Sequence, residues 1–198
     1  MRQSLRAALL VIPMCLPLAG WTQGPELLSL QSQSKLWVEG GSTIRAWTCK
    51  ADDINATVEA SGTNSVALLI TGDKTVRTVN VTIPSEKLEC GNGTMNDHMK
   101  KALKVKEFPT IAFTLATYDL THSAAGVSGT LIGTLSLGGV KKSVAIAATG
   151  TEENGALRVL GSYDLKMTDY DLTPPSLMFG RIKVRENVTV KFDLILKS

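Results

Sequence analysis

The chain has 198 residues, of which 43% are hydrophobic and 20% are charged, a balance typical of globular domains. Its 21 Lys and Arg against 18 Asp and Glu give a formal net charge of +3. Two of those charges, Arg2 and Arg6, lie in a short N-terminal segment that we expect to be removed, which leaves a nearly neutral chain. A neutral chain has no basic surface for DNA or RNA, so nucleic acid is excluded as a partner.

The first residues have the three-part pattern of a secretory signal peptide. Arg2 and Arg6 precede the apolar run Ala7–Leu18, and small residues follow it. The run is shorter than the ~20 residues that span a bilayer as a helix. We expect cleavage between Gly20 and Gly24, which makes residues 1–23 the signal peptide. The protein is therefore predicted to be exported, to the bacterial periplasm or out of the cell.

The cysteines agree with export. Cys15 lies inside the predicted signal peptide and is expected to leave with it, so Cys49 and Cys90 remain. An even pair of cysteines in an oxidising compartment predicts a disulfide bond. Two buried free thiols are the alternative.

The remainder of the chain is long enough for one domain with its own core. Residues 24–34 carry no charge except Glu26 and are interpreted as a short polar leader. The domain is expected to span residues 35–198. Within it, short runs in which apolar and polar residues alternate predict strands. These runs are Leu36–Val38, Thr43–Cys49, Ile54–Ala60, Val76–Ile83, Thr110–Tyr118, Val127–Leu137, Lys142–Thr149, Leu157–Met167, Arg181–Val184 and Val188–Leu196.

Turns and loops separate these strands. Gly138-Gly139 and Asn154-Gly155 are signals for tight hairpins. Thr121–Gly126 and the acidic, proline-containing stretch Asp169–Pro175 are predicted to be loops. The six residues Ser65–Ile70 are ambiguous, since a run this short fits a buried strand or a short helix.

One amphipathic helix is predicted in the stretch Leu88–Phe113, around which the rest of the chain is organised. Thr94 and Asp97 have the spacing of a capping box at the helix start. Pro109 cannot continue a helix and favours extended backbone before it. The expected apolar stripe consists of Met95, Met99, Ala102 and Leu103. The opposite, solvated face carries Asp97, Lys100, Lys101 and Lys104.

Many short strands with one helix favour an antiparallel β-barrel or sandwich. A doubly wound sheet would need several more helices. An eight-stranded barrel is just wide enough to hold one small ligand. The sequence therefore predicts a mainly β domain.

Residues suited to catalysis or metal binding are few. Neither His98 nor His122 has a second imidazole or a cysteine at metal-ligand spacing. Asp97 and His98 are adjacent on the predicted helix, and adjacent helical side chains point about 100° apart, so they do not form an acid–base pair. Asp169 and Asp171 fit a solvated loop as well as a cation site. We predict no enzyme, no cofactor and no metal site.

The helix region resembles the central motif of the YceI-like family, the bacterial periplasmic polyisoprenoid-binding proteins. The matching residues are Leu88, Cys90, Asn96, His98, Met99, Phe108, Pro109, Thr110 and Phe113. Gly133–Val144 is similar to a second family motif, and an Asp-Tyr-Asp-Leu stretch followed by two strands is similar to the family's ending. Met95 stands where the motif usually has Arg, and Cys90 stands at the usual Thr.

The resemblance implies an extended, lipocalin-like, eight-stranded antiparallel barrel with an apolar tunnel. The implied ligand is a polyisoprenoid or isoprenoid quinone, which would be bound or carried with transient membrane contact. The residues expected to line the tunnel are Val79, Val81, Ile83, Met99, Leu103, Ile111, Phe113, Leu115, Leu131, Leu135, Val144, Ile146, Phe192 and Leu194.

The pattern of alternating apolar residues does not itself require a tunnel. The inward side chains of a filled core alternate in the same way as those of a pocket. A structural or stress-related envelope domain with a solid-packed barrel and no ligand is therefore the alternative function. The oligomeric state is not predicted.

Overall fold

A computed structural model describes residues 24–198. The predicted signal peptide, residues 1–23, lies outside this part and stays a prediction. Within the described part, neither α-helix is long and apolar enough to cross a bilayer.

Residues 24–198 form strands and two short α-helices. The strands are β1 (Glu26–Leu30), β2 (Lys35–Gly41), β3 (Ala46–Ala51), β4 (Asn55–Ala60), β5 (Val76–Pro84), β6 (Leu88–Glu89), β7 (Thr110–Tyr118), β8 (Thr121–Ser123), β9 (Gly126–Leu137), β10 (Val140–Glu153), β11 (Ala156–Lys166), β12 (Ser176–Leu177), β13 (Ile182–Lys183) and β14 (Asn187–Lys197). The helices are α1 (Ser65–Ile70) and α2 (Gly93–Ala102), and 3₁₀ turns occur at Ser85–Lys87 and Met167–Tyr170.

Eight of the strands close into an antiparallel barrel, in the order β1-β4-β5-β7-β9-β10-β11-β14. The closing pair is β1 with β14, where Leu30 lies opposite Leu196. This confirms the expected eight-stranded barrel. Closure also removes the two free sheet edges, which would otherwise present unpaired backbone groups.

The wall of the barrel branches at β14. Near its carboxyl end β14 pairs with β1, and earlier in the strand it pairs with β2, where Phe192 lies opposite Leu36. The sheet continues from β2 through β3 to β6, which leads into α2. Strands β2, β3 and β6 therefore extend the barrel at the end that carries α2.

The predicted polar leader is wrong for part of its length. Residues 24–34 include β1, which pairs with both β4 and β14. Leu28 is 3% exposed, so one side of this segment belongs to the core. The run of five strand residues is too short for alternation to be evident beside the polar residues that follow it.

The ambiguous segment Ser65–Ile70 is a helix, α1, which packs on one end of the barrel. The Glu26 carboxylate accepts a hydrogen bond from the backbone N–H of Ser65 at 2.9 Å. Asn64, the residue before the helix, makes no side-chain cap, so Glu26 supplies the missing acceptor from β1. The apolar cluster at this end comprises Leu28, Val58, Ala60, Val66, Leu69, Leu157 and Leu196.

A second apolar cluster lies toward the other end, near the end of α2. It comprises Leu137, Leu165, Met167, Tyr170, Leu172 and Val188. Ala102 and Leu103, from the end of α2, pack against it.

Most other local predictions agree with the structure. Strand β7 has the predicted bounds, and Gly138-Gly139 and Asn154-Gly155 connect β9 to β10 and β10 to β11. The predicted loop Thr121–Gly126 begins with a short strand, β8, that pairs with β9. The predicted loop Asp169–Pro175 begins within a 3₁₀ turn.

Candidate functional site

The interior of the barrel is hollow between its two clusters. A cavity of about 380 Å³ is lined by Val58 and Leu157 from one cluster and by Leu165 and Val188 from the other. It therefore runs along the barrel, and its volume lies in the range of small-molecule sites, ~300–1,000 Å³. Phe113, midway along the wall, faces inward but is only half-buried, as expected beside an open space.

The structure places all but one of the predicted tunnel residues on the cavity wall. Those on the wall are Val79, Val81, Ile83, Met99, Leu103, Ile111, Phe113, Leu115, Leu131, Leu135, Ile146, Phe192 and Leu194.

Val144 is buried, at 4% exposure, but it does not line the cavity. It pairs with Gly133 across β9 and β10. A Cβ atom on Gly133 would lie only 2.6 Å from the Phe113 ring, so the ring lies directly over that glycine. Beside Gly133 the cavity surface is therefore formed by the Phe113 ring. The prediction that Val144 lines the cavity is wrong.

Phe192 is seated in the same way on a glycine of the neighbouring strand. It lies opposite Gly161, whose added Cβ would come within 2.3 Å of the ring. Glycine leaves room for a flat ring against the wall at both places. The two rings therefore shape the cavity, which a Cβ at Gly133 or Gly161 would disturb.

Several residues of the cavity wall were not predicted from the sequence. They lie on β2, β3, β4 and β11, and Trp47 adds an aromatic ring among them. Apolar and polar residues alternate in these strands as well, so the same pattern could have identified their inward side chains. The missed residues include Leu36, Val38, Trp47, Ala56, Val58, Val159, Tyr163 and Leu165.

Helix α2 lies over the cavity with its predicted apolar stripe inward. Met95, Met99, Ala102 and Leu103 all line the cavity, and His98 lies beside them. No residue of α2 is fully buried, so the helix covers the cavity, and only its carboxyl end packs against an apolar cluster. Two methionines in one contact surface give it adaptable packing.

The predicted capping box at the start of α2 is wrong. The N-cap is Asn92, whose side-chain oxygen accepts from the Met95 N–H at 3.2 Å. Asn92 has the extended backbone that an N-cap requires, whereas Thr94 is already inside the helix. The Asn96 side chain also accepts from the Cys90 N–H at 2.7 Å, which fixes the chain that enters the helix.

The solvated face of α2 is as predicted for Asp97, Lys100 and Lys101, whereas Lys104 lies beyond the end of the helix. Lys101 is exposed, and Lys100 forms an ion pair of 3.0 Å with Glu86. This pair joins the helix to the 3₁₀ turn before β6. The contact raises the pKa of Lys100, with the Glu86 hydrogen bond as the main cause.

Cys49 and Cys90 form a disulfide bond, which confirms the predicted pairing and removes the free-thiol alternative. The bond joins β3 to the chain that enters α2, and both cysteines line the cavity. A disulfide in this position fits an exported protein.

Polar groups are rare along the cavity. Trp47 lines it with its ring, which lies over Gly40, but the indole N–H is inaccessible and has no hydrogen-bond partner within residues 24–198. A buried donor left unpaired costs ~1–3 kcal/mol. Trp47 packs against the cluster near the end of α2, so this unpaired donor is enclosed in the packing at that end of the barrel.

The residues considered for catalysis or metal binding do not converge in the structure. Residues 24–198 contain no group of three or more His, Cys, Asp or Glu placed to hold a metal ion. Asp169 and Asp171 are exposed and do not line the cavity. His122 contacts the Ile70 carbonyl oxygen through Nδ1 at 2.6 Å, which joins β8 to the end of α1.

Tyr170, between those two acids, is a core residue. It is 2% exposed, and burial is the main cause that raises the pKa of its phenol. The ammonium group of Lys142 lies 6.0 Å from the centre of its ring. Its position supports a structural role in the cluster near α2.

Residues 33–196 match the model of the YceI-like domain. The chain belongs to the YceI-like family. No curated protein sequence matches it. The family match points to a binding protein and away from an enzyme.

Solved structures with low sequence identity share this YceI-like fold. Burkholderia cenocepacia BcnA matches with a TM-score of 0.65 at 14% identity, over 84% of this chain and 99% of its own. A polyisoprenoid binding domain from Saccharophagus degradans, implicated in plant cell wall breakdown, matches with a TM-score of 0.59 at 14% identity, over 87% and 97%. The Campylobacter jejuni YCEI protein matches with a TM-score of 0.58 at 16% identity, over 74% and 82%. Identities this low establish a common fold only.

Proposed function

We propose that this YceI-like protein is an exported, periplasmic or secreted binder and carrier of a long-chain isoprenoid lipid. The observation that carries the proposal is the hollow, apolar interior of the barrel. A soluble carrier must shield a hydrocarbon chain from water, and this cavity offers almost no group that would prefer water to that chain.

The affinity of such a site would come from the hydrocarbon chain. Each methylene group moved from water into the cavity contributes about 0.8 kcal/mol. This driving force has no direction, so the length of the cavity, set by the clusters at its ends, would select ligands by chain length. The rings of Phe113 and Phe192 would limit its width.

A polar head group would lie at the α2 end of the cavity, where helix α2 covers the opening with side chains that are not fully buried. The hydrocarbon chain would then be directed toward α1. The name of the Saccharophagus degradans relative is consistent with a polyisoprenoid ligand.

The alternative of a structural envelope domain assumed a barrel packed solid. A cavity of about 380 Å³ does not fit that packing, because unfilled space lowers stability without benefit to a purely structural protein. The cavity therefore favours the carrier.

The test is organic extraction of protein purified from the envelope or medium of its native host, followed by mass spectrometry. We expect an isoprenoid chain in an amount comparable to that of the protein. Lipid-stripped protein should take up added quinone or polyprenol. Protein that carries no lipid and takes up neither ligand would contradict the proposal.

A further inference from the structure

The hairpin formed by β12 and β13 carries large apolar side chains into solvent. Leu177 pairs with Ile182 at the end of the hairpin. Beyond this pair the Phe179 side chain is fully exposed, and Met178 is 65% exposed. Ile44, also 65% exposed, lies in a neighbouring turn, which is joined to β13 by the Thr43 N–H bond to the Lys183 carbonyl at 3.0 Å. We call Ile44, Met178 and Phe179 the apolar tip.

The backbone of the tip is unfavourable for these residues. Met178 and Phe179 have φ values of 50° and 55°, and Gly180 follows at 87°. Large side chains rarely adopt positive φ, whereas Asn and Gly do so readily. Local folding alone would favour Asn or Gly at these positions. Two exposed, strained apolar side chains therefore point to a role in binding.

Four cationic side chains lie on the two segments that carry the tip. They are Arg45, Arg181, Lys183 and Arg185. Among the described residues none of the four forms an ion pair. Two acids on adjacent segments are already engaged, since Glu39 pairs with Lys191 and Glu186 pairs with Lys166. The tip is thus a small apolar surface whose neighbours along the chain include four cations that form no ion pair within the described residues.

The tip is close to the cavity. Leu177, at the base of the hairpin, lines the cavity together with Val184, just after β13. On the other side, the Arg45 guanidinium contacts the sulfur of Met95, a lining residue of α2, at 3.4 Å. Whatever the tip binds therefore lies next to the α2 end of the cavity.

We propose that the apolar tip docks this protein on an anionic lipid bilayer. Met178, Phe179 and Ile44 enter the boundary between headgroups and acyl chains, and the four cations contact lipid phosphates. Apolar anchors bordered by Arg and Lys are the combination that binds reversibly at a charged membrane surface. Only the purpose of docking, the passage of lipid between bilayer and cavity, rests on the proposed function.

The test is flotation of the purified protein with vesicles of phosphatidylcholine alone and with about 30% phosphatidylglycerol, at low and high salt. We expect binding to the anionic vesicles that weakens as salt rises. The variant Met178→Asn/Phe179→Gly should lose that binding. Its thermal stability should stay equal or increase, because Asn and Gly suit the positive φ values.

The role of the cations beside the tip is tested against a matched control variant. The variant Arg181→Gln/Lys183→Gln should weaken binding about fivefold for each cation removed. The variant Lys74→Gln/Arg77→Gln loses the same charge at the α1 end and should bind like the unmodified protein. Equal loss in both variants would mean attraction by net charge only, and would overturn the proposal.

Undiminished vesicle binding by Met178→Asn/Phe179→Gly would also overturn docking. If light scattering then showed a changed oligomeric state in that variant, the tip would be assigned to a protein interface. Failure of docking is distinguished from failure of the carrier function by measuring the uptake of lipid from detergent. That uptake needs the cavity but no membrane.

Discussion

Phe113 and Thr114 are neighbours on β7 that meet opposite environments. Phe113 faces the cavity over Gly133, whereas Thr114 is exposed on the outer wall. The pair therefore separates the effect of a charge inside the barrel from its effect on the strand.

The first prediction is that Phe113→Arg abolishes lipid binding. The guanidinium would be placed in an apolar cavity, where an unpaired charge is unfavourable. Thr114→Arg should leave binding within about twofold, because its side chain stays in water. Titration of lipid-stripped protein with a fluorescent polyprenol or quinone analogue measures both variants. Equal losses would mean that the outward and inward faces have been exchanged.

The second prediction concerns Glu26, which holds the start of α1. Replacing it by Ala should destabilise the protein by about 1 kcal/mol, as for the loss of a helix cap. Glu152→Ala, an exposed acid on a hairpin, is the control and should be neutral. Urea unfolding measures both, and a neutral Glu26→Ala would mean that α1 does not depend on β1.

The same carboxylate gives a pH dependence with a defined sign. Hydrogen bonds from Ser198 and Ser65 lower the pKa of Glu26 below its usual range. The unfolded chain therefore binds the proton more readily, so the stabilisation is complete above the ordinary Glu pKa. It is lost as pH falls through the lowered pKa. The stability difference between the protein and Glu26→Ala should shrink below about pH 4.

At the scale of elements, the cysteine pair and most strands were predictable from the sequence. The signal-peptide pattern and the even number of remaining cysteines predicted the disulfide. Clear alternation of apolar and polar residues predicted β5, β7 and β9. Strand β1 was missed because pairing with distant β4 and β14 establishes it. The cap of α2 was misplaced because Thr94 and Asn92 are both acceptable caps locally. The unpaired N–H of Trp47 was not predictable, since the burial of a side chain depends on neighbours from several strands.

The third prediction tests the link between β3 and α2. The double variant Cys49→Ser/Cys90→Ser should lose about 4 kcal/mol of unfolding free energy, because the bond closes a loop with a sequence separation of 41. Urea unfolding measures the loss, and the unmodified protein in reducing agent should match the variant. An unchanged midpoint in both samples would show that the unfolded chain is not restrained by this bond.

On the scale of the whole molecule, an empty barrel is less stable than a filled one, because a ligand would supply the contacts that the interior lacks. The apolar clusters at its two ends hold the wall together, and the span between them lacks the contacts of a packed core. A ligand that binds only the folded barrel shifts the folding equilibrium toward it.

The fourth prediction is that lipid raises the thermal midpoint. At a ligand concentration of 100 Kd the expected stabilisation is about 2.7 kcal/mol. The shift should grow with prenyl chain length and then stop when the cavity is full. Scanning calorimetry with a series of prenols measures it, with Phe113→Arg as the unresponsive control. A shift that increases without limit would indicate detergent-like binding to the surface.

The pairing of strand β14 determines when the barrel can close during synthesis. The hairpins from β9 to β11 pair neighbours in the sequence and can form early. Strands β1 and β2 can likewise pair with β4 and β3, but their pairing with β14, which closes the wall, comes last. The ribosome makes β14 after every other strand of the barrel. Until then the chain has an open wall, and contacts between distant residues form slowly. Closure of the barrel is therefore a late step, and a chain that is exported would still have an open wall when it passes through a narrow channel.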